Sequence, residues 1–136
     1  MNINPITDRE AKQYSPLALA FLGDSVYEIL VREFLLRNAN MPASQLHEKK
    51  IKLVCASYQS SAVDRIFHLL NEDEISVYKR GRNATGNSVP KHSSASDYRK
   101  ATGLEALFGY LFLIGEEERL NLLFNEICQD NPADCK

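Results

Sequence analysis

Apolar side chains recur at helical spacing along most of this chain, and no stretch alternates apolar and polar residues convincingly. The pattern predicts an all-α fold. Ser15-Pro16 opens the first long helix, with serine at the N-cap and proline at the first helical position. The helix is predicted from about Pro16 to Arg37, with Asn38 to Pro42 as stop and turn. Apolar residues surround it as far as Leu30, which predicts a central helix. Ser44 is the expected cap of a second helix reaching about Ala56, with Lys49, Lys50 and Lys52 in solvent. A third covers about Tyr58 to Leu70, with Ala62, Val63, Ile66, Phe67 and Leu70 inward. Glu72-Asp73-Glu74 begins a short helix to about Arg80, its acids suited to the N-terminal dipole. Gly81 to Ser94, rich in Gly, Asn and Ser, is the predicted loop. Ser96 is the expected cap of a helix from about Asp97 to Ile114, and Gly115 its stop. Glu116-Glu117-Glu118 opens the last helix, which is expected to bury Leu120, Leu123, Phe124 and Ile127. Asn131-Pro132 ends it, and residues 130–136 are expected to fray.

The composition, 44% hydrophobic and 25% charged over 136 residues, fits one domain spanning 1–136 with one core. No apolar run reaches the roughly 18 residues that cross a bilayer. Met1-Asn2-Ile3-Asn4-Pro5 has neither the charged nor the apolar region of an export signal. Three cysteines, Cys55, Cys128 and Cys135, form no C-x-x-C pair. Together these features imply free thiols in a reducing cytoplasm, with no membrane partner. Cys55 reads as a small core residue. The net charge of -2 conceals an asymmetry: Lys79 to Lys100 holds six basic residues and one acid, while the rest holds ten basic and seventeen acidic residues. A basic segment on an acidic body is a local signal for a polyanion.

Two carboxylates stand in apolar surroundings. Asp24 lies within Leu19-Ala20-Phe21-Leu22-Gly23-Asp24-Ser25-Val26-Tyr27, and Glu105 within Thr102-Gly103-Leu104-Glu105-Ala106-Leu107-Phe108-Gly109-Tyr110. A charge in a core-like stretch requires a partner, a proton or a metal ion. At 100° per residue Asp24 shares its face with Leu17, Ala20, Tyr27, Glu28, Val31 and Leu35, near the middle of an apolar stripe. If the two helices pack, the carboxylates face one another and repel unless a cation intervenes. Mg²⁺ suits such a pair, since it takes oxygen ligands and uses one or two carboxylates with substrate phosphate. The residues alone leave a second reading open, in which Arg32, Arg99 or Lys100 pairs with each acid structurally.

Leu19 to Val26 resembles the ribonuclease III signature N-E-R-L-E-F-L-G-D-S/A-V, and T-G-L-E-A-L-F-G over residues 102–109 resembles that family's D-T-V-E-A-L-I-G motif. Both motifs, in order and at this separation, extend the likeness over roughly residues 14–128. Pro16-Leu17-Ala18-Leu19-Ala20 and the short chain resemble the family's Mini-ribonuclease III branch, a catalytic domain without a double-stranded-RNA-binding domain. The resemblance implies an all-α, homodimeric ribonuclease III endonuclease-domain fold. It also implies a Mg²⁺-dependent endoribonuclease that cuts double-stranded RNA to leave 5′-phosphate and 3′-hydroxyl ends, maturing large-subunit ribosomal RNA. Asp24 and Glu105 are then the catalytic and metal-binding residues. Ala20 stands where the larger enzymes carry a metal-binding Glu, Leu17 at a more upstream acid and Thr102 at their metal-binding Asp. Water, or a further acid such as Asp97 or Glu28, would complete the ligand set.

A-form RNA is recognised through phosphates, 2′-hydroxyls and shape. The residues expected to do this are Lys79, Arg80, Arg82, Asn83, Lys91, His92, Arg99 and Lys100, with Gly81 and Gly86 admitting the backbone. The expected partners are double-stranded precursor ribosomal RNA, a second copy of the chain and a ribosomal protein. The vacated acid positions at Ala20 and Thr102 leave a rival, a catalytically inactive RNA-binding or ribosome-assembly module. A plain helical interaction domain with structurally paired acids is the other alternative.

Overall fold

A computed structural model describes residues 2–84 and 94–129. The described residues form helices α1 (Asp8–Lys12), α2 (Pro16–Asn38), α3 (Ala43–Val54), α4 (Ala56–Ile66), α5 (Glu72–Asn83), α6 (Ala95–Leu113) and α7 (Glu117–Gln129). A 3-10 turn, Phe67–Leu69, follows α4, and no strand occurs among the described residues. The fold is all-α.

The helix at the centre is α6, with α1, α2, α4, α5 and α7 packed around it. Its buried residues run almost without break from Ala101 to Leu111. The expectation that α2 is central is corrected. Its apolar circumference has two destinations. Leu19, Val26, Tyr27, Leu30, Val31 and Leu35 enter the core, whereas Phe21 is 84% exposed and Leu17, Ile29 and Leu36 are about half exposed. These four fall within about 120° around the helix axis, a second apolar face that the core does not use.

Several boundaries follow local chemistry. The Ser15 hydroxyl accepts the Ala18 N–H, with Pro16 leading the helix. Gly115 stops α6 at φ +76, a backbone state that glycine adopts without Cβ strain. Others differ from expectation. Pro42, without a side-chain cap bond, precedes α3 in place of Ser44. Ser94, not Ser96, caps α6 by accepting the Asp97 N–H at 3.0 Å. α5 continues past Gly81 to Asn83, so the expected loop starts later. Residues 85–93 and 130–136 lie outside the described residues. α1 is an addition, held by a capping box in which Thr7 and Glu10 exchange bonds.

Cys55 is exposed, because it is the extended residue joining α3 to α4 rather than part of a helix face. Lys50 is half-buried and lies 3.7 Å from Glu28, while Lys52 is exposed. The Tyr27 hydroxyl donates to the Leu53 carbonyl at 2.8 Å, and its ring packs on Phe108 and Phe124. This ties α2, α3, α6 and α7 into one core. Buried Glu74 takes a two-bond grip from Arg119, both bonds 2.8 Å, which pins α5 to the start of α7.

Candidate active site

Two glycines set the geometry. Where α2 crosses α6, a Cβ on Gly23 would sit 1.6 Å from the Glu105 carbonyl oxygen, and one on Gly109 would sit 2.1 Å from the Leu19 carbonyl oxygen. No side chain fits between these backbones, so only glycine permits the approach. Asp24 directly follows one of these glycines, and Glu105 lies one turn before the other. The crossing therefore brings the two carboxyls face to face within hydrogen-bonding reach.

Asp24 is exposed, whereas Glu105 is largely buried. The expected place of Asp24 in mid-stripe is corrected: it stands at the margin, between buried Ala20, Tyr27 and Val31 and the open face of Leu17 and Phe21. Burial is the main force pushing the Glu105 carboxyl up to about 8, and the adjacent Asp24 charge adds to it. The side chain of Gln59, on α4, acts in the opposite sense by favouring the charged form.

The structural pairing left open by the sequence does not occur. Arg32 pairs with Glu28 at 2.8 Å and Lys100 with Asp64 at 2.7 Å. Among the described residues no ion pair includes Asp24 or Glu105. Glu28 is engaged by Arg32 and Lys50. The Thr102 hydroxyl donates to the Tyr98 carbonyl at 3.0 Å, within its own helix. Among the described residues no group of three or more His, Cys, Asp and Glu side chains gathers in a form that holds a metal. The site is two carboxyls and an amide.

Gln59 was not apparent from the sequence as a site residue. The available signal was its place on the inward face of α4, one turn before Ala62 and Val63, where a polar side chain needs a partner.

Arg82, Asn83, Arg99 and Lys100 come together. They line an open groove of about 770 Å³ between α4, α5 and the start of α6, with Asp64 and Tyr78 in its wall. The Arg82 guanidinium lies over the Tyr78 ring at 5.7 Å, and its Nε donates to Asn83. Lys79 is exposed and outside this lining. Arg80 is turned elsewhere, donating to the Lys12 and Tyr14 carbonyls at 3.2 Å and closing the end of α1. Gly81 serves the α5–α6 contact, since a Cβ there would meet the Ala106 Cβ at 2.7 Å. Lys91 and His92, like Gly86, lie outside the described residues.

A ribonuclease III domain matches residues 17–116. The chain belongs to the ribonuclease III family of endoribonucleases. Mini-ribonuclease 3 of Clostridium tetani is 46% identical over 115 residues, which cover 84% of this chain and 76% of that protein. Mini-ribonuclease 3 of a Thermoanaerobacter species is 44% identical over 119 residues, covering 88% and 84%. A crystal structure of a Fusobacterium nucleatum protein, 30% identical, superposes with a TM-score of 0.80 over 88% of this chain and 96% of that one. The two motifs carrying Asp24 and Glu105 both fall inside the matched domain.

Proposed function

We propose that this chain, as one catalytic domain over residues 1–136, is a Mg²⁺-dependent endoribonuclease that hydrolyses double-stranded RNA. The carrying observation is the meeting of Asp24 and Glu105, without a cationic side chain between them, where α2 crosses α6. Two carboxylates are hard oxygen donors, a pair that fits Mg²⁺ with water completing its shell. Asp24 and Glu105 would hold the ion. When bound, it supplies an acidified water for attack at phosphorus and neutralises charge on the leaving oxygen.

The protein's own contribution is placement. Largely buried Glu105 limits water on one side, and exposed Asp24 faces the solvent from which a phosphate arrives. Arg82, Asn83, Arg99 and Lys100 line a groove at the N-terminal end of the helix that carries Glu105, where phosphates and 2′-hydroxyls of a duplex can be bonded. Lys79, Lys91 and His92 extend the same basic segment. Binding through these phosphate contacts falls steeply with salt.

A homodimer belongs to the reading, supported by the second apolar face of α2 around Phe21. Precursor large-subunit ribosomal RNA is the proposed natural substrate, in the cytoplasm, with a ribosomal protein as a further partner. Among the described residues no helix is long and apolar enough to cross a membrane.

Ala20 and the turned-in hydroxyl of Thr102 favour one alternative, an RNA-binding or ribosome-assembly module that does not cleave. One experiment separates them: a long RNA duplex incubated with the protein and Mg²⁺, or with chelator, followed by end-group analysis. Cleavage only with Mg²⁺, leaving 5′-phosphates, is expected. Binding without cleavage, at any Mg²⁺ concentration, would replace this reading with the alternative.

A further inference from the structure

We propose that the groove between α4, α5 and the start of α6 holds an unpaired nucleobase of the RNA, stacked on the ring of Phe67, so that the chain favours duplexes with a base out of pairing near the cut. The inference rests on the nuclease reading above and narrows its substrate class.

Five apolar residues were expected inward from this part of the chain. Ala62, Val63, Ile66 and Leu70 are buried, whereas Phe67 is 37% exposed. The backbone explains the difference. Ile66, at φ -105 and ψ -10, departs from helical winding, and Phe67 opens the 3-10 turn Phe67–Leu69. The ring is carried off the inward face of α4 and into the groove wall, which it shares with Tyr78 and the cations Arg82, Arg99 and Lys100.

A paired A-form strand offers such a groove phosphates, sugars and 2′-hydroxyls, none of which calls for an aromatic face. An unpaired base does. Every base has a π-face, and stacking on aromatic side chains along a cationic track is how single-stranded nucleic acid is held. The local geometry suits that use. The Phe67 ring meets buried Tyr78 in a near-perpendicular contact, centroids 5.9 Å apart at 74°, which fixes it and leaves a ring face for stacking. The Arg82 guanidinium lies over the same Tyr78 ring at 5.7 Å, so open ring and cation share one support. Asp64 holds Lys100 at 2.7 Å, and exposed Arg99 on the same wall can meet the phosphate beside the base. The volume, about 770 Å³, is in the range of pockets that enclose small organic ligands. Arg99 precedes Glu105 by six residues, about 9 Å along α6, which puts the stacked base within a few nucleotides of the cut.

The test uses RNA duplexes that differ only in a single-nucleotide bulge, moved stepwise to either side of the cleavage site, with a fluorescent purine analogue as the bulged base. Affinity for the full chain is measured in chelator, and cleavage with Mg²⁺. Wild type should bind the best-placed bulge at least about fivefold tighter than the fully paired duplex, the lower end of what one base on an aromatic ring contributes, and should quench the analogue. Phe67→Leu keeps apolar bulk and removes the π-face. It should bind the paired duplex as wild type does, lose the preference and leave the analogue bright, while Phe67→Trp should keep both. Bulges also make a duplex easier to bend, so a preference that persists in Phe67→Leu reports deformability and overturns the inference. Equal weakening of paired and bulged duplexes in Phe67→Leu assigns the ring to the sugar-phosphate strand and overturns it as well. If Phe67→Leu does not fold, the analogue decides: a signal that is bright with wild type at every position, or identical with Phe67→Trp, overturns the inference. A wild type that cleaves with Mg²⁺ but shows no preference at any bulge position removes this inference and leaves the nuclease reading standing. A wild type that cleaves no duplex removes the nuclease reading itself.

Discussion

At the scale of single residues, the fold opposes the charge of Glu105. Its ordinary value is 4.5, and burial followed by the Asp24 charge raises it to about 8. Between these values the unfolded chain has released the proton and the folded chain still holds it. In chelator, stability therefore falls as pH rises from about 4.5 to about 8 and levels off above that range. Denaturant titrations at about pH 5 and about pH 8 should differ by a few kcal/mol in wild type, and the difference should shrink in Glu105→Gln. Asp24→Asn removes one source of the shift. It should flatten the same slope, leave the protein folded and abolish cleavage; wild-type turnover in this variant would end the catalytic assignment.

The basic residues divide at this scale as well. Arg80 spends its guanidinium on two carbonyls at the end of α1. Arg80→Ala should cost about 1.5–3 kcal/mol of stability, the range for hydrogen bonds to charged groups, with a smaller rise in KM than the groove variants. Arg82→Ala and Arg99→Ala should raise KM and reduce the salt dependence of binding, with little change in midpoint. Equal KM in wild type and both groove variants would remove the groove from RNA recognition.

At the scale of elements, the meeting of the two carboxyls depends on how closely α2 and α6 cross. Gly23→Ala places a methyl group 1.6 Å from a backbone oxygen, so the helices must move apart. The expected destabilisation is about 1–3 kcal/mol or more, read from denaturant midpoints, together with loss of Mg²⁺ binding as the carboxyls separate. A folded, fully active Gly23→Ala protein would show that the crossing does not position the site. The helices themselves were largely legible, because 3.6-residue periodicity and the Ser15-Pro16 and Gly115 signals are local. Capping was less so. Ser94 and Ser96 are equally good caps by residue type, and the structure uses Ser94, whose hydroxyl accepts the Asp97 N–H. α1 was missed because five residues form a helix only with outside support. Here the Ile6 N–H donates to the Leu113 carbonyl at 2.9 Å, and Tyr110 donates to Asp8.

At the scale of the whole molecule, the second apolar face of α2 is where the proposed homodimer would form. Phe21 exposes most of its ring on the helix that carries Asp24. Phe21→Asp places a charge in that face and should yield a monomer by light scattering, with the thermal midpoint of the isolated chain little changed. An unchanged mass would show that the face is not the dimer contact. The apolar circumference of α2 had suggested enclosure within one chain, and the structure assigns enclosure to α6. Periodicity reports that a face is apolar; it carries no information on whether the same chain or another covers it.

The amino-acid order alone determined the helical class and most helix starts and stops, and it singled out Asp24 and Glu105 as candidate site residues, since each acid is a local departure from an apolar pattern. Tertiary structure alone decided that the Gly23–Gly109 contact joins the two acids, that Arg80 and Gly81 serve packing, and that the buried Gln59 amide bonds the Val54 carbonyl at the end of α3. Those facts depend on distances between helices, and hydrophobic spacing within one helix cannot encode them.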